Sequence, residues 1–159
     1  MKEIYVFLKN KIHTIVYLIE KKISNFRTKI NWYLNKPKLP TCEKKMLHLG
    51  CGEVNIEGFI NIDKLPFPHI HFLSGVERLP FIKDNSIDLI YMNHCLEHLP
   101  MKKIPIVLKE YYRVLKKGGI LRISVPDFKI IVEMYQNTSD INKIWEPLMG
   151  GQDYEFNFH

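Results

Sequence analysis

The sequence is short of the features that staple or embed a small protein. Three cysteines, Cys42, Cys51 and Cys95, are spread over 159 residues. Their number is odd and none pairs with another at zinc-knuckle spacing, so neither a disulfide framework nor a knuckle is expected. Long apolar runs are absent too. The longest charge-free stretch of the apolar N-terminal part is 12–19, far short of the ~20 residues of a membrane-spanning helix. Lys9, Lys11, Glu20, Lys21 and Lys22 break that region, and no small-residue cleavage site follows, which argues against a secretory signal and for the cytosol. What is present is ordinary globular material, 46% hydrophobic and 25% charged. A chain of this length buries roughly 70% of its unfolded surface and needs no staple.

Charge divides the chain in two. Residues 1–40 carry nine Lys/Arg (Lys2, Lys9, Lys11, Lys21, Lys22, Arg27, Lys29, Lys36, Lys38) against Glu3 and Glu20, a net of +7, while the other 119 residues hold 14 basic and 15 acidic groups. Apolar residues recur at Ile4, Leu8, Ile12, Ile15, Ile19, Ile23, Phe26, Ile30 and Tyr33, eight steps over 29 residues. That mean of about 3.6 is the straight α-helical repeat. The spacing predicts an amphipathic arm over 1–40, one helix or two with Ser24 and Asn25 as the break, closed by Lys36-Pro37-Lys38-Leu39-Pro40. The arm either packs on the domain that follows, or lies on an anionic membrane surface through residues 1–35, or binds a partner. With no recognition module, nucleic acid is not expected as the partner.

From residue 41 onward short apolar runs alternate with helical stretches, the βαβ texture of an α/β domain. Strands are expected at 46–49, 59–62, 70–73, 87–92 and 119–125, and a helix over 102–116 stopped by Gly118-Gly119. The first strand runs into Gly50-Cys51-Gly52, and the second ends at Asp63. A Gly-x-Gly turn lets the main chain approach a ligand closely, and an acid ending the next strand can accept hydrogen bonds from ribose hydroxyls. Asn55 stands where a dinucleotide fingerprint has its third glycine, and the link between the strands is too short for a full crossover helix. A nucleoside cofactor without a pyrophosphate therefore fits better.

Three further segments carry a family resemblance. Leu79-Pro80-Phe81-Ile82-Lys83-Asp84-Asn85-Ser86-Ile87-Asp88-Leu89-Ile90-Tyr91, His94-Cys95-Leu96-Glu97-His98-Leu99, and Leu108-Lys109-Glu110-Tyr111-Tyr112-Arg113-Val114-Leu115-Lys116-Lys117-Gly118-Gly119 follow Leu47-His48-Leu49-Gly50-Cys51-Gly52 in order over 45–127. This resembles class I S-adenosylmethionine-dependent methyltransferases, most of all the small methyltransferase-11-like group often associated with surface-polysaccharide biosynthesis. The resemblance implies a Rossmann-like sheet of strand order 3-2-1-4-5 over 41–159, with Gly50, Cys51 and Gly52 under the methionine part of S-adenosylmethionine. It puts Asp63 on the ribose, Val76 and Glu77 flanking the adenine, and His94 facing the sulfonium as the candidate general base, its alternative being a residue that shapes the pocket or caps the next helix. Gly75 stands where the family often has an adenine-recognising Asp. Strands six and seven would lie beyond Phe158-His159, so the sequence is expected to be a truncated piece, with a bare fifth strand open to a homodimer.

Two rivals belong to other classes. His94-Cys95-Leu96-Glu97-His98 matches H-x-x-E-H, the inverted zinc-protease motif, in which two histidines on one helix face hold zinc beside a glutamate base, with Glu133, Glu146 or Glu155 as the third ligand. A non-catalytic methyltransferase-like adaptor is the other. Asp127, after Val125-Pro126, is expected to cap the helix that follows it. The methyl acceptor, a small molecule or a glycan, is not specified by any motif.

Overall fold

A computed structural model describes residues 2–149. Helix α1 (Lys2–Leu34) is followed by strands β1 (Met46–Leu49), β2 (Phe59–Asp63), β3 (Phe72–Leu73) and β4 (Ile87–Asn93). Two 3-10 turns, Leu96–His98 and Met101–Lys103, lead into α2 (Ile104–Val114), β5 (Leu115–Ser124), α3 (Phe128–Thr138) and α4 (Ile141–Met149). The five strands form one sheet of order β3-β2-β1-β4-β5, and every pairing is parallel. This is the expected Rossmann-like order.

Register sets the two faces. Leu47 lies between Ile60 and Ile90, and Leu49 between Ile62 and Met92, so these six apolar side chains share one face of the pleat. Val107, Tyr111 and Val114, one stripe of α2, close over that face and are fully buried. Each such burial contributes roughly 1.5–3 kcal/mol. On the other face, His48 packs edge-to-ring with Phe59 and tilted against Tyr91. Among the described residues α2 is the single helix between consecutive strands. The sheet is therefore backed by crossover helix on one side only.

Several expectations move. β3 is two residues, Phe72–Leu73, not 70–73, because Ile70 closes a turn onto Phe67 O and gives its own carbonyl to Trp32. α2 ends at Val114 and β5 begins at Leu115, so Gly118-Gly119 does not stop the helix. It sits inside β5, where the register jumps from Ile87 opposite Leu115 to Leu89 opposite Ile120, and Gly118 at φ +81 supplies the left-handed step of that bulge. β5 itself pairs only with β4 among the described residues. The Gly-rich stretch from Gly150, with Glu155, Phe158 and His159, lies outside the described residues.

α1 runs unbroken through Ser24 and Asn25, and Thr28 Oγ1 donates to Ser24 O at 2.9 Å within it. Among its described side chains, the one buried on the following domain is in its last turn. Trp32 is buried against Ile70 and Cys51, and its Nε1 donates to Ile70 O at 2.8 Å. Leu8 through Ile30 of the apolar stripe remain exposed.

Candidate active site

The parallel strands deliver the expected residues to one edge, because Asp63 ends β2 and Gly50, Val76 and His94 follow the carboxyl ends of strands that run the same way. Ligands of open α/β sheets bind at this edge. Gly50 continues β1 by donating its N–H to Ile62 O (2.9 Å), then turns at φ +62. A Cβ there would stand 2.3 Å from Cys95 Sγ. Glycine is thus required twice over, by backbone conformation and by space.

Gly52, at φ +51, is held at both its polar groups. Its N–H donates to Asp63 Oδ2 at 2.9 Å, and its carbonyl lies 3.0 Å from His69 Nε2. Asp63 Oδ1 accepts from Leu65 N at 2.8 Å. The acid and the glycine turn are one hydrogen-bonded unit. Each carboxylate oxygen has taken a single backbone N–H and keeps acceptor capacity for hydroxyls, and a Cβ at Gly52 would meet nothing within 4 Å, so the turn faces open space. The arrangement fits a ribose and its attached chain.

Burial pushes the thiols of Cys51 and Cys95 up to about 12, with the Asp63 carboxylate adding to both. Neither is a thiolate at neutral pH, so they act as small wall groups and not as nucleophiles. Val76 is buried, and its carbonyl accepts from Tyr111 Oη at 3.2 Å, tying the loop after β3 to α2. Next to it, Gly75 leaves the space that Glu77 uses: a Cβ at 75 would come 2.4 Å from Glu77 Oε2. Burial raises the Glu77 pKa, but its own backbone N–H and Lys64, at 3.4 Å, outweigh it and keep the carboxyl below its ordinary value. An ionised carboxylate therefore stands close to where the family often has its Asp. A hollow of about 380 Å³ opens beside Ser74, Gly75 and Glu77.

His94 leaves β4 in a left-handed conformation, φ +48, with its N–H bonded to Ser124 O at the end of β5 (3.0 Å). Such a backbone costs a non-glycine residue on the order of 1–3 kcal/mol and persists where the surroundings enforce it. Its Nδ1 is 3.5 Å from Glu97 Oε1, and its side chain is 57% exposed. Two expectations end here. His94 does not cap the next helix, because Cys95 holds that position and makes no side-chain cap bond. Nor do His94 and His98 share a helix face: His94 precedes the 3-10 turn Leu96–His98 at positive φ, so the metalloprotease geometry is not formed. Among the described residues no three His, Cys, Asp or Glu side chains converge on a metal-sized site. Beyond Glu97 lies a second hollow of about 410 Å³, lined chiefly by apolar side chains that include Leu96, Leu99, Ile104, Phe128 and Ile131.

Asp127 caps α3 as expected, its Oδ1 accepting from Lys129 N (2.9 Å) and Ile130 N (3.4 Å). Sequence reasoning missed His69, which lies in the link between β2 and β3 and carries no local signature. It also missed the clamp at Arg113. That guanidinium donates to Leu79 O and Ile82 O and pairs with Glu110, whose Oε1 accepts Leu79 N at 2.7 Å. Two of the resembling segments are thereby bolted together.

A parallel sheet of this order, with a glycine turn locked to an acid at its carboxyl edge, is a Rossmann-like sheet with its candidate ligand edge at the carboxyl ends of the strands. Residues 58–123 match the family model described as "Methyltransferase domain". An 80-residue stretch, 50% of this chain, is 31% identical to the ubiquinone/menaquinone biosynthesis C-methyltransferase UbiE of Campylobacter jejuni and covers 32% of that protein. The chain thus spans about a third of the curated relative it matches. A solved structure from Methanococcus maripaludis, described as a candidate S-adenosyl-L-methionine-dependent methyltransferase, aligns over 63% of this chain and 58% of its own, at 20% identity and a TM-score of 0.42.

Proposed function

We propose that this chain acts as an S-adenosylmethionine-dependent methyltransferase. The observation that carries the reading is the bond from Gly52 N to Asp63 Oδ2, which makes the close-approach turn and the hydroxyl acceptor one preorganised unit. In this reading Gly50, Cys51 and Gly52 support the methionine end, Asp63 takes the ribose hydroxyls, and Val76 and Glu77 border the adenine. The bound cofactor supplies an electrophilic methyl group. The chain's own part is to hold the acceptor in line with it, a positioning effect that can contribute ~7–11 kcal/mol.

His94 is the residue we assign to proton removal from the acceptor. Glu97, within ion-pair range of Nδ1, orients the ring and leaves Nε2 to take the proton, a role worth ~100-fold to 10,000-fold. The resemblance to the polysaccharide-associated group makes a glycan or other small-molecule acceptor the first reading. The hollow beside Glu97 favours a second, an apolar acceptor, because a free sugar would lose hydration against Leu96, Leu99 and Phe128 without gaining partners. The name of the Campylobacter jejuni relative, a ubiquinone/menaquinone biosynthesis C-methyltransferase, supports that second reading.

Calorimetric titration with S-adenosylmethionine and with its demethylated product is the test. Binding in the micromolar range is expected, abolished by Asp63→Ala in a protein that still unfolds cooperatively. A well-folded chain that gives neither heat nor thermal protection is the adaptor, and the reading fails. With labelled methyl donor, transfer to a sugar panel or a quinone-like panel separates the acceptors, and His94→Asn should lower kcat with cofactor affinity unchanged.

A further inference from the structure

We propose that α1 is a peripheral membrane anchor that lies flat on an anionic lipid surface. Its 33 residues span about 50 Å at 1.5 Å per residue, yet no described helix is long and apolar enough to cross a bilayer. With about 100° of turn per residue and Ile19 as the reference, Leu8, Ile12, Ile15, Ile23 and Phe26 fall within about 40° of it. These side chains are 46–64% exposed. On the same wheel Lys9 and Arg27 lie about 80° to one side, and Lys11 and Lys29 about 80° to the other. An apolar stripe edged by cations on both sides is the pattern in which the stripe enters the acyl boundary while the charged heads stay at the phosphates.

The fold fixes which way the stripe points. Trp32, buried on Ile70 and hydrogen-bonded to its carbonyl, is the docking point of the helix on the domain. It sits about 140° from Ile19 on the wheel. The face that grips the protein is thus turned away from the apolar one, which stays outside.

Charge also selects the occupant. In a second copy packed stripe to stripe, the flanking rows would set Lys9, Lys11, Arg27 and Lys29 largely against their own kind, with Glu20, about 100° from Ile19, as the one acid beside them. An anionic surface answers all of them at once.

Vesicle flotation of the full chain tests this. Binding is expected to vesicles of one-third phosphatidylglycerol in phosphatidylcholine, at least tenfold weaker to phosphatidylcholine alone, and reduced by 0.5 M salt. Each cation near such a surface is worth about fivefold, so Lys9→Gln, Lys11→Gln, Lys22→Gln and Lys29→Gln together should weaken binding on the order of 100-fold or more. Ile15→Asp with Ile19→Asp should abolish it. These positions are exposed, and unchanged urea midpoints will show that both variants fold. Equal binding to both lipids, no flotation, or a quadruple variant that floats as well as the parent overturns the proposal. So does a dimer that dissociates with the Ile→Asp pair in a chain that ignores vesicles. S-adenosylmethionine titration of the same samples reads the methyltransferase proposal independently.

Discussion

Substituting alanine at Gly50 and Gly52 separates two costs that a glycine turn usually confounds. Both residues are left-handed, at φ +62 and +51, and forcing a Cβ into that conformation costs roughly 1–2 kcal/mol. Only at Gly50 does the new methyl also collide, 2.3 Å from Cys95 Sγ and 2.9 Å from its Cβ. Crowding of this kind adds typically 1–3 kcal/mol. Gly50→Ala should therefore destabilise by roughly 2–5 kcal/mol and Gly52→Ala by roughly 1–2, read from urea unfolding midpoints at constant slope. Cys95→Ala removes the sulfur but leaves its Cβ, so in the Gly50→Ala background it should recover part of the loss, with a coupling of about 1 kcal/mol in the double-mutant cycle. Equal costs at the two glycines, or a strictly additive cycle, would refute the claim that β1 exits against Cys95.

Other outcomes are specific to single groups. Asp127→Ala should cost about 1 kcal/mol, the loss of an N-cap, and leave the thermal shift produced by S-adenosylmethionine unchanged; loss of that shift would move Asp127 into the site. Arg113→Ala strips donors from Leu79 O and Ile82 O and removes the ion-pair partner of Glu110, leaving that carboxylate only Leu79 N, so roughly 2–4 kcal/mol should disappear from urea-measured stability, and a neutral result would show the clamp to be idle. Burial holds His71 and His48 below their ordinary value of 6.5. The unfolded chain then binds protons that the folded one refuses. Their contribution is complete above pH 6.5 and declines as pH falls toward the folded-state values. A urea midpoint that stays flat or rises between pH 7 and 5 contradicts this.

The paired Leu47, Leu49, Ile60, Ile62, Ile90 and Met92 show why the central strands were legible: strands buried along most of their length, as β1 and β2 are, write themselves as short apolar runs between turn residues. The boundary between α2 and β5 was not. Leu115-Lys116-Lys117-Gly118-Gly119 reads locally as a helix end, and only the ladder to Ile87 and Leu89 makes it a bulged strand start. The H-x-x-E-H string failed for a related reason. A four-residue spacing means a shared face only on an α-helix, and here the chain leaves β4 at positive φ and makes a single 3-10 turn.

Composition and periodicity alone fixed the division into a basic amphipathic arm and an α/β domain, the glycine turn, the acid ending β2 and the N-cap at Asp127, because each is a signal carried by neighbours in the chain. Tertiary structure alone decided that Gly52 binds Asp63, that His69 closes on the turn, that Cys95 walls Gly50 and that Trp32 sets the roll of α1. Those contacts join residues 11 to 45 positions apart, and what brings them together is the burial of one sheet face under α2 and the common direction of the strands, which no local pattern encodes.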